Sequence, residues 1–363
     1  MSSSLGGQFR ITSFGESHGP CIGVVVDGCP AGLNLALEDI QRDLDRRRAG
    51  DQPGATPRRE PDAARFLSGV YEGHTTGAPI AMVIDNLNTD SGAYEAFART
   101  PRPGHADYPA AVKYNGLNDP RGGGRFSGRI TAGFVMAGAV ARLVLRSVGV
   151  EVDAHTVAIG GVEAPWCEPT LIRERRQRYS LACCDDLSAR VMAEAIEKAR
   201  TADDSVGGVV ECVALGLPVG LGEPVFAGLE GEIAHAVLSI PAVKGIEFGA
   251  GFDLCEKLGS EANDPFDIVD GKIVTTKNDC GGALGGLSTG MPLVLRVAFK
   301  PTPSVGVEQQ TVDLASKAAA RLSIRGRHDA CIVPRAVVVV EAMVCCVLCD
   351  LGLQAGFIPR VMR

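Results

Sequence analysis

A run of three glycines set between arginines constrains this 363-residue chain more than any other feature. The segment reads N-D-P-R-G-G-G-R-F-S-G-R-I-T-A, and Gly122, Gly123 and Gly124 permit positive φ and close approach of a ligand to the backbone. Apolar residues at helical spacing follow from about Arg129 to Val148, so free N–H groups and a positive dipole end would lie beside the glycines. We interpret the segment as an anion site, with a solvated basic loop before a core helix as the alternative.

The charged residues favour a small anionic ligand over a nucleic acid. The net charge is −7, yet 28 of the 36 basic residues are arginines, whose planar forks suit carboxylates and phosphates. They cluster at residues 42–65 and 99–129, while those of 173–178 are predicted to lie on an exposed helix. An RNA-binding module would need aromatic side chains among its basic residues, and the few present lie mostly in apolar runs. We therefore predict no nucleic-acid partner.

The apolar runs and the start of the chain predict a cytoplasmic protein with no membrane partner. The first ten residues, M-S-S-S-L-G-G-Q-F-R, lack the apolar core of a secretory signal. The longest apolar run, 336–353, is interrupted by Glu341 and Asp350 and is shorter than a bilayer span. The 12 cysteines are then expected to be reduced. Cys346 and Cys349 are expected in the core, since no second pair completes a zinc site, and we predict no metal.

The order of the predicted elements indicates a mixed α+β architecture. Strand-like runs occur in several groups with helices between them. One helix has apolar residues at positions 37, 40 and 44 and ends in R-R-R at 46–48. These three arginines point in different directions, so only one or two of them need have a structural role. The length permits one large domain or two modest ones, and no Ser-, Pro- or Gly-rich linker marks a boundary.

Three further loops carry residues able to do chemistry. His18, in F-G-E-S-H-G-P between two strand-like runs, could be an acid–base group, a ligand or a turn residue. K-P-T-P-S at 300–304 offers a cation and hydroxyls to a phosphate, and R-G-R-H-D at 325–329 is either a second such site or a solvated charged loop. The glycines of 281–290 do not match G-x-G-x-x-G, which disfavours a dinucleotide-binding βαβ unit.

Seven motifs occur in the order in which they are found in the chorismate synthase family, and the chain resembles that family from about residue 9 to 345. They are F-G-E-S-H-G, D-L-D-R-R-R, R-P-G-H-A-D-Y, R-G-G-G-R, G-G-L-S-T-G, F-K-P-T-P-S and R-G-R-H-D. The resemblance implies a shikimate-pathway lyase that converts 5-enolpyruvylshikimate 3-phosphate to chorismate and phosphate by 1,4-anti elimination. It also implies reduced FMN as cofactor, a homotetramer, and one catalytic domain over residues 1–363 built as a β-α-β sandwich with helices between two antiparallel sheets.

The same resemblance implies roles for individual residues. His18 would be the acid for the leaving phosphate, His105 would protonate the reduced flavin, and Asp329 would relay a proton from flavin N5. The substrate would be bound by Ser17, Arg47, Arg48, Arg102, Arg129 and Arg327. The flavin would be contacted by Arg125, Ser127, Pro241, Ala242, Gly285, Lys300, Pro301, Thr302, Pro303, Ser304 and Arg327. NADPH serves some members as an indirect reductant. Because no second domain carries a reductase here, we expect an external source of reduced flavin.

Three positions depart from the family pattern, and at one of them the arginine often found a few residues after R-R-R is absent, with Pro53 near its place. Phe126 stands where bacterial members commonly have a serine, and Pro241 replaces the usual asparagine of S-I-N-A. Neither change removes a catalytic group, but both alter the hydrogen bonds available to the flavin. A flavin oxidoreductase with the same cofactor pocket is the alternative function. It would consume reduced flavin as substrate turns over, whereas the lyase would recycle the flavin without net oxidation.

Overall fold

The computed structural model describes residues 3–48, 60–87, 89, 92–324 and 329–362. The strands are β1 (Ser4–Leu5), β2 (Arg10–Gly15), β3 (Cys21–Asp27), β4 (Ala64–Ser68), β5 (Val70–Tyr71), β6 (His74–Thr75), β7 (Ile80–Asp85), β8 (Glu151–Ile159), β9 (Val162–Glu163), β10 (Gly208–Leu215), β11 (Val243–Phe248), β12 (Phe266–Val269), β13 (Lys272–Thr275), β14 (Ala283–Leu284), β15 (Leu287–Ser288), β16 (Leu293–Phe299), β17 (Gln309–Asp313) and β18 (Ala318–Leu322). The helices are α1 (Leu37–Arg47), α2 (Asp107–Lys113), α3 (Thr131–Ser147), α4 (Ile172–Arg178), α5 (Asp186–Thr201), α6 (Leu229–Leu238), α7 (Gly259–Ala262) and α8 (Val333–Gln354).

Two antiparallel five-stranded sheets form the outer layers. The first has the strand order β1-β2-β3-β7-β4, and the second has the order β11-β16-β10-β8-β9. Along β16, the buried side chains of Leu293, Leu295 and Val297 alternate with more exposed ones, as expected for a strand with one face on the core. Each sheet therefore offers one apolar face to the interior.

Four helices fill the space between the two sheets. α1 and α3 pack on the first sheet, α6 and α8 pack on the second, and α3 lies along α8. Gly138 of α3 permits this contact, because a Cβ there would lie 2.2 Å from the Cβ of Ala342. The β-α-β sandwich expected from the family resemblance is confirmed, and the helices predicted at 37–48 and 129–148 are present.

α8 is longer than its apolar run indicates. It has 22 residues, and its most apolar 18-residue window has a mean hydropathy of 2.3, so the expectation that this segment is too short to span a bilayer is wrong. Its most apolar window is completely buried inside the protein, and the corresponding window of Gly128–Ser147 is 89% buried. These two helices are the core of the sandwich. Cys346 and Cys349 are buried in α8, as predicted, and both are free thiols.

Glu341 of α8 is the centre of a buried ion network. Its carboxylate accepts hydrogen bonds from Arg46 (2.8 and 3.0 Å), from Arg142 (2.8 Å) and from the backbone N–H of Ala154 (2.8 Å), and it forms an ion pair with Arg176. The prediction of an exposed helix face is wrong for Arg176, which is 7% exposed. Burial and the neighbouring charge of Arg46 lower the pKa of Arg176 to about 9.

Candidate active site

A cavity of about 770 Å³ lies where the end of α1, the glycine run, the ends of β11 and β16 and the start of α8 meet. Its described lining contains eight Arg or Lys side chains but three carboxylates, so the cavity favours an anionic ligand. The basic side chains belong to Arg47, Arg48, Arg102, Arg125, Arg129, Lys244, Lys300 and Arg335, and the acidic ones to Glu60, Asp62 and Asp329.

The glycine run fits tightly against two histidines. Its three glycines have φ values of 59°, 81° and 53°, as the sequence predicts. A Cβ on Gly122 would lie 2.6 Å from Nε2 of His18, and one on Gly123 would lie 3.4 Å from Nε2 of His105. His18 is 7% exposed and makes an edge contact with Tyr94, a residue of the cavity lining. The two imidazoles therefore lie against consecutive glycines, one in the cavity wall and one directly behind it.

His105 is held by a carboxylate and a guanidinium. Its Nδ1 lies 2.6 Å from Oδ1 of Asp107. Arg102 donates to both oxygens of Asp107, at 2.7 and 2.8 Å, and from Nη1 to Oγ of Ser304 at 3.2 Å. Burial raises the pKa of Asp107, but hydrogen bonds from Arg102 and His105 outweigh that effect and hold the pKa well below its usual range. Asp107 is therefore a carboxylate acceptor for both side chains.

A second buried carboxylate, Asp62, holds two arginines of the wall. Arg47 donates from Nη1 to Oδ2 of Asp62 at 3.0 Å, and Arg129 donates from Nη1 to the other oxygen. The Nε atoms of the same arginines donate to Thr131 and Asn86, each at 3.0 Å. Burial lowers the pKa of Arg47 to about 9, against the opposing effect of Asp62. Nη2 of Arg129 is buried without a hydrogen-bond partner in the described structure, and such a donor is suited to a ligand oxygen.

Asp329 and Arg335 connect the start of α8 with α1. Arg335 donates from Nη1 to the carboxylate of Asp329 and from Nε to the carbonyl of Arg47, at 3.0 Å for the latter. Thr302 Oγ1 donates to the carbonyl of Asp329 at 2.8 Å. Nearby, burial and the charge of Lys244 lower the pKa of Lys300. Acidic, basic and hydroxyl groups from distant parts of the sequence thus share one cavity.

The family model of chorismate synthase matches residues 9–353. The chain belongs to the chorismate synthase family. Chorismate synthases from Dehalococcoides mccartyi and Korarchaeum cryptofilum are 55% and 52% identical, covering 100% and 95% of this chain and 100% and 96% of their own lengths. A crystal structure of chorismate synthase matches with a TM-score of 0.74 at 30% identity, covering 96% of this chain and 93% of its own. Membership in the chorismate synthase family, which the motifs indicated, is confirmed and identifies a lyase of the shikimate pathway.

Most residues to which the family resemblance gives a role lie in or directly behind the cavity. His105 and Asp329 are in its lining. Ser17 lies with His18 behind Gly122, and its Oγ is 2.7 Å from the position that a Cβ on Gly122 would take. The other residues in the lining are Arg47, Arg48, Arg102, Arg125, Ser127, Arg129, Pro241, Ala242, Lys300, Thr302, Pro303 and Ser304. Phe126, which departs from the family pattern, is also in the lining.

Three of the expected residues are not brought to the cavity by the described structure. Gly285 lies in the exposed turn between β14 and β15, where the neighbouring Gly286 carbonyl accepts from the N–H of Leu229, the first residue of α6. The other end of α6, Leu238, lines the cavity, and a ten-residue helix is about 15 Å long. Pro301 is exposed, although both its neighbours line the cavity. Arg327 lies outside the described residues.

The sequence interpretation missed five charged residues of the site: Glu60, Asp62, Asp107, Lys244 and Arg335. Asp107 stands two residues after His105 in G-H-A-D, and this spacing was a usable signal. Asp62 is 1% exposed with φ of 46°, and no local pattern indicates that its carboxylate faces two distant arginines. The carboxylates that orient the basic residues are therefore the part of the site that sequence reasoning did not find.

Proposed function

We propose that the chain converts 5-enolpyruvylshikimate 3-phosphate to chorismate and phosphate by 1,4-anti elimination, with reduced FMN as cofactor. The observation that carries the proposal is the single cavity that combines an excess of guanidinium groups with His105 and Asp329, and has His18 directly behind it. A basic cavity with two imidazoles and a carboxylate offers both anion binding and proton transfer. We also infer one catalytic domain, a homotetramer and a cytoplasmic location.

The substrate carries a phosphate and two carboxylates, and the arginine-rich wall is suited to these groups. Arginine forks bind such anions through paired hydrogen bonds. Arg47 and Arg129 are fixed by Asp62, and the unpartnered Nη2 of Arg129 leaves one donor for a substrate oxygen. Arg48 is 40% exposed and bonded only to the carbonyl of Pro61 and to Asp45 in the described structure, so it can turn toward a ligand. We assign these three arginines to the substrate.

The remaining part of the cavity fits a flavin mononucleotide. The volume of the whole cavity is large enough for a substrate and a cofactor together. Lys300, Thr302 and Ser304 provide a cation and hydroxyls for the cofactor phosphate, and Lys244 adds positive charge. An apolar wall for a planar ring is formed by Phe126, Ile240, Val243, Phe299, Ile332 and Val339. When bound, reduced FMN supplies the electron-rich ring on which the elimination depends.

The titratable side chains would then donate and accept the protons that are transferred in the reaction. His18 would donate a proton to the departing phosphate, and its place behind Gly122 leaves it close to the cavity but away from bulk water. His105 would hold a proton toward the cofactor side. Asp329, held by Arg335, would relay a proton from flavin N5, the role that the family resemblance gives it. Such roles contribute on the order of 10²–10⁴ in rate each.

The decisive experiment is an anaerobic assay with photoreduced FMN and 5-enolpyruvylshikimate 3-phosphate, run with and without NADPH. We expect many molecules of chorismate and phosphate per flavin, with no net flavin oxidation and no need for NADPH. Oxidised FMN with NADPH is expected to give no product, because the reduced flavin comes from elsewhere. Oxidation of one flavin per substrate would favour the oxidoreductase alternative, and indifference to reduced FMN would remove the proposal.

Replacement of Arg48 by alanine is expected to weaken substrate binding by roughly tenfold, because one charge-assisted hydrogen bond to the substrate is lost. The turnover number should change little, since Arg48 takes no part in proton transfer. Isothermal titration calorimetry with the substrate measures the change in the dissociation constant. Arg42→Ala is the matched control, because Arg42 lies on α1, the helix directly before Arg48, is 65% exposed and is absent from the cavity lining. Equal affinities of the two variants would contradict the assignment of Arg48.

A further inference from the structure

His105, Asp107 and Arg102 form a closed cluster at the start of α2. Asp107 accepts at Oδ1 from Nδ1 of His105 (2.6 Å) and from Nη2 of Arg102 (2.8 Å). Its other oxygen, Oδ2, accepts from Nε of Arg102 (2.7 Å) and from the backbone N–H of the same residue (3.1 Å). The side chains of His105 and Asp107 are 14% and 13% exposed. The carboxylate is therefore fixed in both position and orientation.

An ionised carboxylate only accepts hydrogen bonds, and this decides which ring nitrogen of His105 carries the proton. Nδ1 of His105 lies 3.0 Å from Nη2 of Arg102, which can only donate, and 2.6 Å from Oδ1 of Asp107, which can only accept. The contact to Asp107 is the shorter of the two and requires a hydrogen on Nδ1. The other nitrogen, Nε2, is then the one that gains and loses a proton. It lies 3.3 Å from Nη2 of Arg102 and faces Gly123, where a Cβ would lie only 3.4 Å away, so the absence of a side chain on Gly123 leaves room for a ligand beside Nε2.

We propose that Asp107 is a positioning residue that holds His105 in the Nδ1–H form and so makes Nε2 its proton-transferring atom. The inference rests on the proposed acid role of His105. In the protonated ring both nitrogens carry hydrogen. Release of the Nε2 hydrogen leaves the neutral ring with its hydrogen on Nδ1, which is the form that Asp107 stabilises. Asp107 keeps its charge throughout, and the proton passes from Nε2 alone.

A purely structural role for Asp107 is the competing explanation. In that case the carboxylate would serve only to fix Arg102, which also donates to Ser304. Loss of Asp107 would then disturb substrate binding through Arg102 and would leave the tautomer of His105 unchanged. The two explanations differ in the tautomer they predict for His105 when Asp107 is replaced, and this tautomer can be observed without substrate or cofactor.

The test is a two-bond ¹H–¹⁵N correlation spectrum of protein labelled with [¹⁵N]histidine, in which His105→Gln identifies the His105 signals. In the unaltered protein the neutral ring should be in the Nδ1–H form. In Asp107→Asn a substantial share should move to the Nε2–H form, and kcat should fall roughly 10- to 100-fold with KM little changed. Asp85→Asn, which removes a carboxylate that is 51% exposed and paired with Arg65, should change neither property.

Two results would overturn the inference. One is an Nε2–H ring of His105 in the unaltered protein, a measurement that does not depend on whether a variant folds. The other is an unchanged Nδ1–H ring in Asp107→Asn, with or without a rise in KM. Because the spectra are recorded without flavin or substrate, they judge the role of Asp107 even if the chain lacks the proposed lyase activity. Failure of the anaerobic assay, in contrast, leaves the tautomer result standing.

Discussion

Replacement of Glu341 by alanine is expected to lower the free energy of unfolding by about 3–5 kcal/mol. Glu341 is completely buried and is the common acceptor for Arg46, Arg142 and Arg176. Without it, three guanidinium groups remain inside the sandwich with less negative charge nearby, and the N–H of Ala154 loses its acceptor. An unpaired buried charge costs much more than the net gain from a formed pair, so the loss should be large.

Chemical denaturation followed by circular dichroism measures this effect. The matched control is Glu308→Ala, which removes a glutamate that is 57% exposed and paired with the 76% exposed Arg321. That pair is solvated, and its loss should cost less than about 1 kcal/mol. If the free energy of unfolding fell by similar amounts in the two variants, solvent or rearrangement would have to compensate the three arginines for the loss of Glu341. That result would disprove the structural importance of Glu341.

The fold could be predicted from the sequence only in part. Apolar spacing was enough to identify α1, because its buried face repeats at the helical period, and it also identified α3, although that helix is buried on almost all sides. Sequence pattern did not predict the burial of Arg176 in α4. The residues R-E-R-R-Q-R have the composition of an exposed helix, yet Arg176 is buried against Glu341. The partner that makes burial of an arginine favourable lies 165 positions away in the chain, and local pattern carries no information about it.

The site shows the same division between local and distant information. The glycine run and the histidines carry recognisable local patterns, and the family resemblance supplied the expectation that they converge. Asp62 and Asp107 were missed because a carboxylate is recognised as an orienting group only once its partners are located in space. Gly285 illustrates the reverse case, since a motif glycine can lie on a turn at the far end of α6 from the cavity.

Separate replacement of His18 and His105 by alanine is expected to reduce turnover by roughly 10²–10⁴ each, the usual contribution of a positioned acid or base. His18 is suited to acid chemistry by its position behind Gly122, and His105 by the carboxylate at its Nδ1. Both variants should still fold, because neither imidazole belongs to the main hydrophobic core. The measurement is single-turnover formation of chorismate under anaerobic conditions with photoreduced FMN.

His74→Ala provides the control, since His74 is an exposed residue whose Nδ1 lies 2.9 Å from the carbonyl of Glu72 in a turn. It should retain full activity. Thermal unfolding separates a catalytic loss from a folding loss, which matters most for His18, because its removal leaves a space against Tyr94. Near-normal turnover of a folded His18→Ala or His105→Ala protein would remove that histidine from the mechanism. If both variants stayed active, the protons would have to move through Asp329 or solvent, and the consecutive-glycine arrangement would have only a packing role.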